Sequence, residues 1–280
     1  MALTLAHVSD LHFGLRTSLE DASARLVETL YHRAVDHVVI SGDITNRGRA
    51  EEIERFWARW SPLREVTTLS VVPGNHDRLD DDVARSLMDD RRVITSHHEG
   101  LLLVRLDSTA PHNRRTIIAG HGMIDQDDLA QLDRALDEAR PGQLVVVTMH
   151  HHPFPLPAET SLERLATWVG LPFAEELTQG QLLLERLRGR ADLLLHGHRH
   201  VPAECELFAE QGRPLRVINA GCSPQLGRFR LLTHNGGQLV ARPEWITSGG
   251  RRAAAPCRRR RARVFAATSA ATSAVLSTAG

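Results

Sequence analysis

The chain predicts an α/β fold, and two observations carry that reading. Short Val/Leu/Ile-rich runs alternate with segments of helical periodicity along the first 200 residues. Four further short strand candidates then follow one another without intervening helices. Alternation of this kind favours a largely parallel sheet with helices outside, and the closing strands suggest a second, antiparallel-rich sheet.

In order, the apolar run LTLAHV (3–8) opens the chain as a strand and a helix is expected over about 20–33. HVVIS (37–41), a helix over about 49–60 and TTLSVV (67–72) continue the alternation. LLLVRLD (101–107) is the next strand, followed by a helix over about 127–139. Asp125 is its expected N-cap, with Leu129, Leu132 and Leu136 on one stripe. LVVVTM (144–149), a helix near 174–188 and DLLLH (192–196) precede the closing strands at about 203–209, 214–219, 228–233 and 238–242.

Five polar clusters stand where buried apolar runs end: Asp10 and His12 in SDLHFG, Asp43 in SGDITNRG, Asn75 and His76 in VPGNHD, His150 in TMHHHP, and His198 and His200 in HGHRH. The carboxyl ends of parallel strands are where open α/β sheets place their ligands. These clusters offer only oxygen and nitrogen donors, the chemistry of a site for two transition-metal ions. A carboxylate can bridge two ions because each oxygen carries lone pairs, and Asp43 is the candidate bridge. In D-x-H and G-H-x-H, residues two apart on extended backbone project the same way, so each pair is expected to converge on one site. Gly42, Gly74 and Gly197 each precede a candidate ligand, where a missing side chain allows a tight turn or close approach.

The ordered motifs D-x-H, G-D, G-N-H-D, H and G-H-x-H resemble those of the calcineurin-like metallophosphoesterases over residues 3 to about 245. HVSDLHFG, VPGNHD, LDST and MHHHPFP look most like the bacterial class III cyclic-nucleotide phosphodiesterase branch, which includes glycerophosphodiester hydrolases. The resemblance implies a two-sheet β-sandwich flanked by helices and two divalent or trivalent ions of manganese, iron or zinc. It assigns one ion to Asp10, His12, Asp43 and His200, and the other to Asp43, Asn75, His150 and His198. A hydroxide between the ions would attack a small phosphodiester, with 3′,5′-cyclic nucleotides as candidate substrates. His76 would face the phosphate and protonate the leaving oxygen.

Asp77 could orient His76 or cap a helix that begins near Arg78. Asn46 and Arg47, after the candidate bridging aspartate, could touch substrate phosphate, although a solvated arginine on a helix-entry loop is the more natural description. Because His150, His151 and His152 are consecutive, alternation sends neighbours to opposite sides; His150 is the expected ligand and His151 the fallback. For His7, His32, His37, His97, His98, His112, His121 and His234, ordinary surface or core placement is expected.

All 34 basic residues are arginine, balanced by 34 acids. Seven of those arginines lie after residue 250, where there are no acids, leaving 27 basic against 34 acidic residues in the body. Such an acidic body is not built to track a nucleic-acid backbone, so no nucleic-acid partner is expected for it. Residues 1–246 are expected to form the metallophosphoesterase domain. Residues 247–280, rich in Arg and then Ala, Ser and Thr, read as a disordered tail or a basic patch. No membrane span and no secretory leader are expected, and three cysteines without ligand spacing suit a reducing cytoplasm. A nuclease of the same superfamily and a non-catalytic metal-binding scaffold are the alternative readings.

Overall fold

The structure is a computed structural model, and it describes residues 2–114, 120–154 and 177–249. The expected tail from residue 250 onward, and most of the segment between His152 and the helix expected near 174–188, lie outside the described residues.

Two six-stranded sheets form the body. The first contains β1 (Leu3–Val8), β2 (His37–Ser41), β3 (Thr68–Val72), β12 (Arg228–Asn235) and β13 (Gln238–Leu239) in the order β13-β12-β1-β2-β3, with β14 (Glu244–Thr247) also paired to β12. The second runs β10-β11-β9-β7-β5-β4, where β4 is Val93–His98, β5 Leu101–Leu106, β7 Leu144–Thr148, β9 Leu193–His196, β10 Ala203–Leu207 and β11 Leu215–Asn219. A two-stranded pair, β6 (Gly122–Met123) and β8 (Leu177–Thr178), lies apart from both.

Strand alternation separates the three larger buried clusters. Leu5, Val39, Leu103, Val146, Leu195, Ile218 and Leu232 fill the space between the sheets. Their neighbours along the strands, Ala6, Val8, Val38 and Ile40, face outward under α1 (Thr17–Arg33) and α2 (Ala50–Trp60), packing on Leu26, Leu30, Phe56 and Trp60. Leu102, Val104, Val145 and Val147 meet α4 (Gln126–Asp137) and α5 (Gly180–Leu187) through Leu129, Leu132, Leu136, Leu183 and Leu187. Two-faced burial of each sheet explains why the strands read as continuous apolar runs. Asp125 caps α4 as expected, its carboxylate accepting from Asp128 N at 2.9 Å.

The closing strands do not form a separate second sheet. β10 and β11 complete the sheet begun by β5, β7 and β9, while β12, β13 and β14 return to pair with β1. The second sheet is parallel at its centre and antiparallel only at its edges, because β5, β7, β9 and β11 all run the same way. The run of short strands suggested a second, antiparallel-rich sheet, but the chain crosses from one sheet to the other through α6 (Ser223–Leu226). β4 went unread because VITSHH is an edge strand, half-exposed and polar.

Leu195 is fully buried between the sheets. Leu195→Ala is therefore expected to destabilise the fold by about 2–5 kcal/mol, read as a lowered urea midpoint with the slope unchanged. A midpoint equal to the parent's would mean the sheets close around the gap.

Candidate metal centre

Six parallel strands deliver the polar clusters to one end of the sandwich. Asp10, Asp43, His150 and His198 each lie two residues past the end of a strand, namely β1, β2, β7 and β9, and Asn75 lies three past β3. Asp107 follows β5 directly. The seam is stitched by main-chain bonds, Asp10 N to Gly42 O at 3.1 Å and Gly197 N to His150 O at 3.1 Å. His198 N donates across the seam to Asp10 Oδ1 at 3.2 Å.

Asp43 lies at the centre, 2% exposed. Its Oδ1 accepts from His76 N at 2.9 Å and is 3.4 Å from His150 Nε2, whereas Oδ2 is 3.8 Å from His12 Nε2. On one side, Asp10, His12 and His200 converge: His12 and His200 approach Nε2 to Nε2 at 3.1 Å, and His200 Nε2 is 3.7 Å from Asp10 Oδ1. On the other, Asn75 Oδ1 is 3.2 Å from His150 Nε2 and 3.1 Å from His198 Nδ1. Three features fit cations here. Asp10 Oδ2 is buried with no hydrogen-bond partner. His150 donates Nδ1–H to Ser41 O at 2.8 Å, which leaves a lone pair on Nε2 when the ring is neutral. That lone pair meets the Asn75 oxygen, which in turn lies 3.1 Å from His198 Nδ1, a grouping of acceptors that a cation satisfies.

The electrostatics follow from burying charge. Burial works to raise the Asp43 pKa, but the charges of His150 and His76 prevail and hold it well below the ordinary carboxylate range. Burial would depress His150, yet the Asp43 carboxylate overrides it and lifts the imidazole to about 9. His12 goes the other way, lowered by burial to about 4, and burial likewise holds His198 well below its usual value.

The extended backbone expected of the D-x-H and G-H-x-H pairs is absent. Asp10, His12, Asp43 and His198 have φ of 56°, 49°, 49° and 72°, all left-handed. Asp and His are among the residues that tolerate this region, and concentration of such strain at one place marks a functional site. Convergence comes from tight turns at strand ends, not from strand alternation. Gly42 (φ +98°) lies against the His150 ring, where a Cβ would stand 2.4 Å from Nδ1. At Gly74 a Cβ would stand 2.1 Å from Asp43 Oδ1 and 2.3 Å from its backbone N.

His76 sits beside the donor groups, its ring edge-on to His12 at 4.8 Å between centroids. Its Nδ1 lies 2.7 Å from Asn46 O, so Nδ1–H donates to the carbonyl and Nε2 is the nitrogen left for other partners. Burial opposes protonation of His76, but Asp43 and the Asn46 carbonyl together raise its pKa. Asn46 therefore meets His76 through its main chain. Arg47 turns away to the surface, 3.3 Å from Asp80 Oδ1, because an exposed carboxylate on the neighbouring loop competes for its charge.

Asp77 neither bonds the His76 ring nor caps the short 3-10 turn His76–Arg78. Fully buried, its carboxylate accepts from Gly74 N (2.8 Å), Ile44 N (3.2 Å), Thr45 N (2.8 Å) and Thr45 Oγ1 (2.6 Å), locking the Asp43 loop to the Asn75 loop. Burial and then the nearby Asp43 charge lift its pKa to about 6.

His150 faces Asp43 and Asn75, whereas His151 binds Ser108 Oγ through Nδ1 at 2.9 Å. His97 pairs with Glu138 at 2.8 Å, and His7 is buried on Ser41 Oγ at 2.8 Å. Gly120 reaches the site, its Cβ position 3.4 Å from His198 Cε1. Sequence reasoning assigned no role to Ser41, whose carbonyl orients His150, or to Ser108, whose hydroxyl accepts from His150 N and His151 N at 3.2 Å each. The signal for Ser108 was its place in LDST, immediately past a strand.

With this geometry in place, the family comparison is decisive: the profile of the Calcineurin-like phosphoesterase family matches residues 3–202. The chain belongs to the calcineurin-like phosphoesterase family. It is 30% identical over 175 residues to the glycerophosphodiester phosphodiesterase GpdQ of Enterobacter lignolyticus, a match spanning 55% of this chain and 58% of that relative's length. A purple acid phosphatase from yellow lupin (Lupinus luteus) seeds shares the fold with a TM-score of 0.63 at 11% identity, over 89% of this chain and 52% of that one. A dimetal phosphatase from Danio rerio does so with a TM-score of 0.59 at 14% identity, over 88% of this chain and 99% of that one. The two-sheet sandwich flanked by helices is thus the metallophosphoesterase fold. No helix among the described residues is long and apolar enough to cross a membrane.

Because a Cβ at Gly74 meets the Asp43 main chain, Gly74→Ala must displace the Asp43 loop. We expect a loss of about 1–3 kcal/mol in urea denaturation. An unchanged midpoint would mean that the two loops separate freely.

Proposed function

We propose that this chain is a dinuclear metal-dependent phosphodiesterase acting on small diesters, 3′,5′-cyclic nucleotides and glycerophosphodiesters among them. One observation carries the proposal: the buried Asp43 carboxylate turns Oδ1 toward His150 and Oδ2 toward His12, so each oxygen serves a different donor group. In this reading Asp10, His12, Asp43 and His200 hold one ion, and Asp43, Asn75, His150 and His198 hold the other. Oxygen and imidazole donors of this kind suit manganese, iron or zinc. Two such ions would polarise the phosphoester and make water a nucleophile at neutral pH.

The protein's own groups supply the rest. His76, with Nδ1 tied to the Asn46 carbonyl, keeps Nε2 for the leaving oxygen and delivers the proton that departure requires. Ser41 O and Ser108 Oγ fix the His150 ring and main chain. Asp77 supports the site by holding the Asp43 and Asn75 loops together, and Arg47 takes no part. Residues 1–246 carry the activity in this reading. The phosphodiesterase named in the relative supports a diester over a monoester, and the free thiols Cys205 and Cys222 suit a reducing cytoplasm.

The test is a turnover panel with manganese, iron and zinc supplied separately, over 3′,5′-cyclic AMP, a glycerophosphodiester, a phosphomonoester and single-stranded DNA. Hydrolysis of the small diesters with little DNA degradation is expected, since the body is acidic. Efficient DNA cleavage with every small diester untouched would replace this reading with a nuclease.

Asp43→Asn removes the charge between the two donor groups, so elemental analysis should find fewer than two ions per chain and most activity lost. His76→Ala should keep its metal while turnover falls on the order of 10²-fold or more. Equal loss of metal and rate in His76→Ala would make that histidine a ligand instead.

A further inference from the structure

A buried ionic joint outside the donor groups links the two sheets. Arg78 ends the 3-10 turn that carries His76 and so belongs to the loop leaving β3 of the first sheet. Its guanidinium donates to Asp107 Oδ2 at 2.6 Å, to Thr109 Oγ1 at 2.6 Å and to Asp82 Oδ1 at 3.1 Å. Asp107 and Thr109 leave β5 of the second sheet. Asp107 Oδ1 is itself held by Thr109 N (2.8 Å) and Thr109 Oγ1 (2.6 Å), so the threonine hydroxyl both receives Arg78 and braces its carboxylate. Arg92 closes the network from behind, 3.3 Å from Asp107 Oδ2 and bound to Thr109 O at 2.7 Å and Asp128 Oδ2 at 2.9 Å.

Between the two anchors stands Ser108, whose hydroxyl accepts from His150 N and His151 N. Three consecutive residues therefore hold the His76 turn through Arg78 and the His150 loop through Ser108. Asp107, Ser108 and Thr109 are all buried, so the joint is shielded from solvent screening. A planar guanidinium sharing two neighbouring acceptors fixes direction as well as distance, which a point charge would not.

We propose that Asp107 is a positioning residue for His76, acting through Arg78 to set where that imidazole stands relative to the His150 half of the site. The inference rests on the reading of His76 as proton donor to the leaving oxygen. It has a consequence that a general loss of stability lacks. A misplaced proton donor slows esters whose leaving oxygen needs the proton and spares those whose leaving group departs unaided.

The experiment compares Asp107→Asn with His76→Ala and the parent on an alkyl phosphodiester and on bis(p-nitrophenyl) phosphate, with metal content measured on each protein. Asp107→Asn should lose on the order of 10-fold or more in kcat on the alkyl ester and less than about threefold on the aryl ester, with metal content equal to the parent's. The imidazole NMR signals of His76 should shift in Asp107→Asn while those of His198 stay in place. Thr109→Val removes only the hydroxyl brace and Arg78→Lys only the fork; both should show the same selectivity more weakly, and they decide the matter should Asp107→Asn not fold. Combining Arg78→Lys with Asp107→Asn should cost no more than the larger single loss. Equal losses on both esters, or an unmoved His76 signal, would overturn the role of Asp107 even where His76→Ala shows the selectivity. Should the parent hydrolyse neither ester, the phosphodiesterase reading fails and the His76 signal alone decides whether Asp107 holds that ring.

Discussion

A carboxylate buried at the seam between two sheets is the constraint on which this molecule turns. Asp43 has no solvent to stabilise its charge, and an isolated buried carboxylate would be driven to its neutral form. It stays ionised because imidazoles from both halves surround it. His12 and His76 come from the first sheet, and His150 crosses from the second. The attraction therefore works between sheets as well as within the site, adding a directional element to the apolar packing of Leu5, Val39, Val146 and Leu195 below. Packing alone would allow the sheets to slide; a charge with partners on both sides does not.

Bringing so many polar groups to one point has a conformational cost. Four candidate ligands adopt left-handed backbone, and glycine neighbours approach them so closely that Gly42 and Gly74 have no room for a side chain. Strain of this kind persists only where the surroundings over-determine it. Here the surroundings are main-chain bonds between loops and the Asp77 carboxylate, which binds the Asp43 and Asn75 loops by four hydrogen bonds. Rigidity before any ligand arrives is what pre-organises a polar site.

Much of this was legible because the fold repeats one device. A buried parallel strand is an apolar run, its end is abrupt, and a polar residue two positions past that end has little to do except line a site; Asp10, Asp43, His150 and His198 share this register. What could not be read was conformation and competition. Spacing suggested extended pairs where the chain makes left-handed turns, since nothing in D-x-H distinguishes them. Arg47 looked available to phosphate until Asp80, 33 residues later, was brought beside it. The closing strands looked like one sheet because sequence spacing does not reveal that α6 carries the chain across the seam. Ser108 and Asp107 escaped assignment for a related reason, as their partners Arg78 and His150 lie 29 and 42 residues away.

The division between strand-end turns and intervening loops also separates what the fold must keep from what it can vary. The donor groups depend on turns of one to three residues anchored to strands buried on both faces, so their geometry tolerates little change. The described residues between 107 and 124 belong partly to each category. Asp107, Ser108 and Thr109 are buried and tie His76's turn to His150's loop, while Gly120 lies beside the His198 ring. A segment anchored by buried residues at a strand end can vary in sequence beyond them without moving the groups those residues hold, which is one way a common fold comes to serve different phosphoesters. Asp107, Ser108 and Thr109 thus belong with the part that cannot vary, since through Arg78 and the His150 main chain they fix two turns of the site at once.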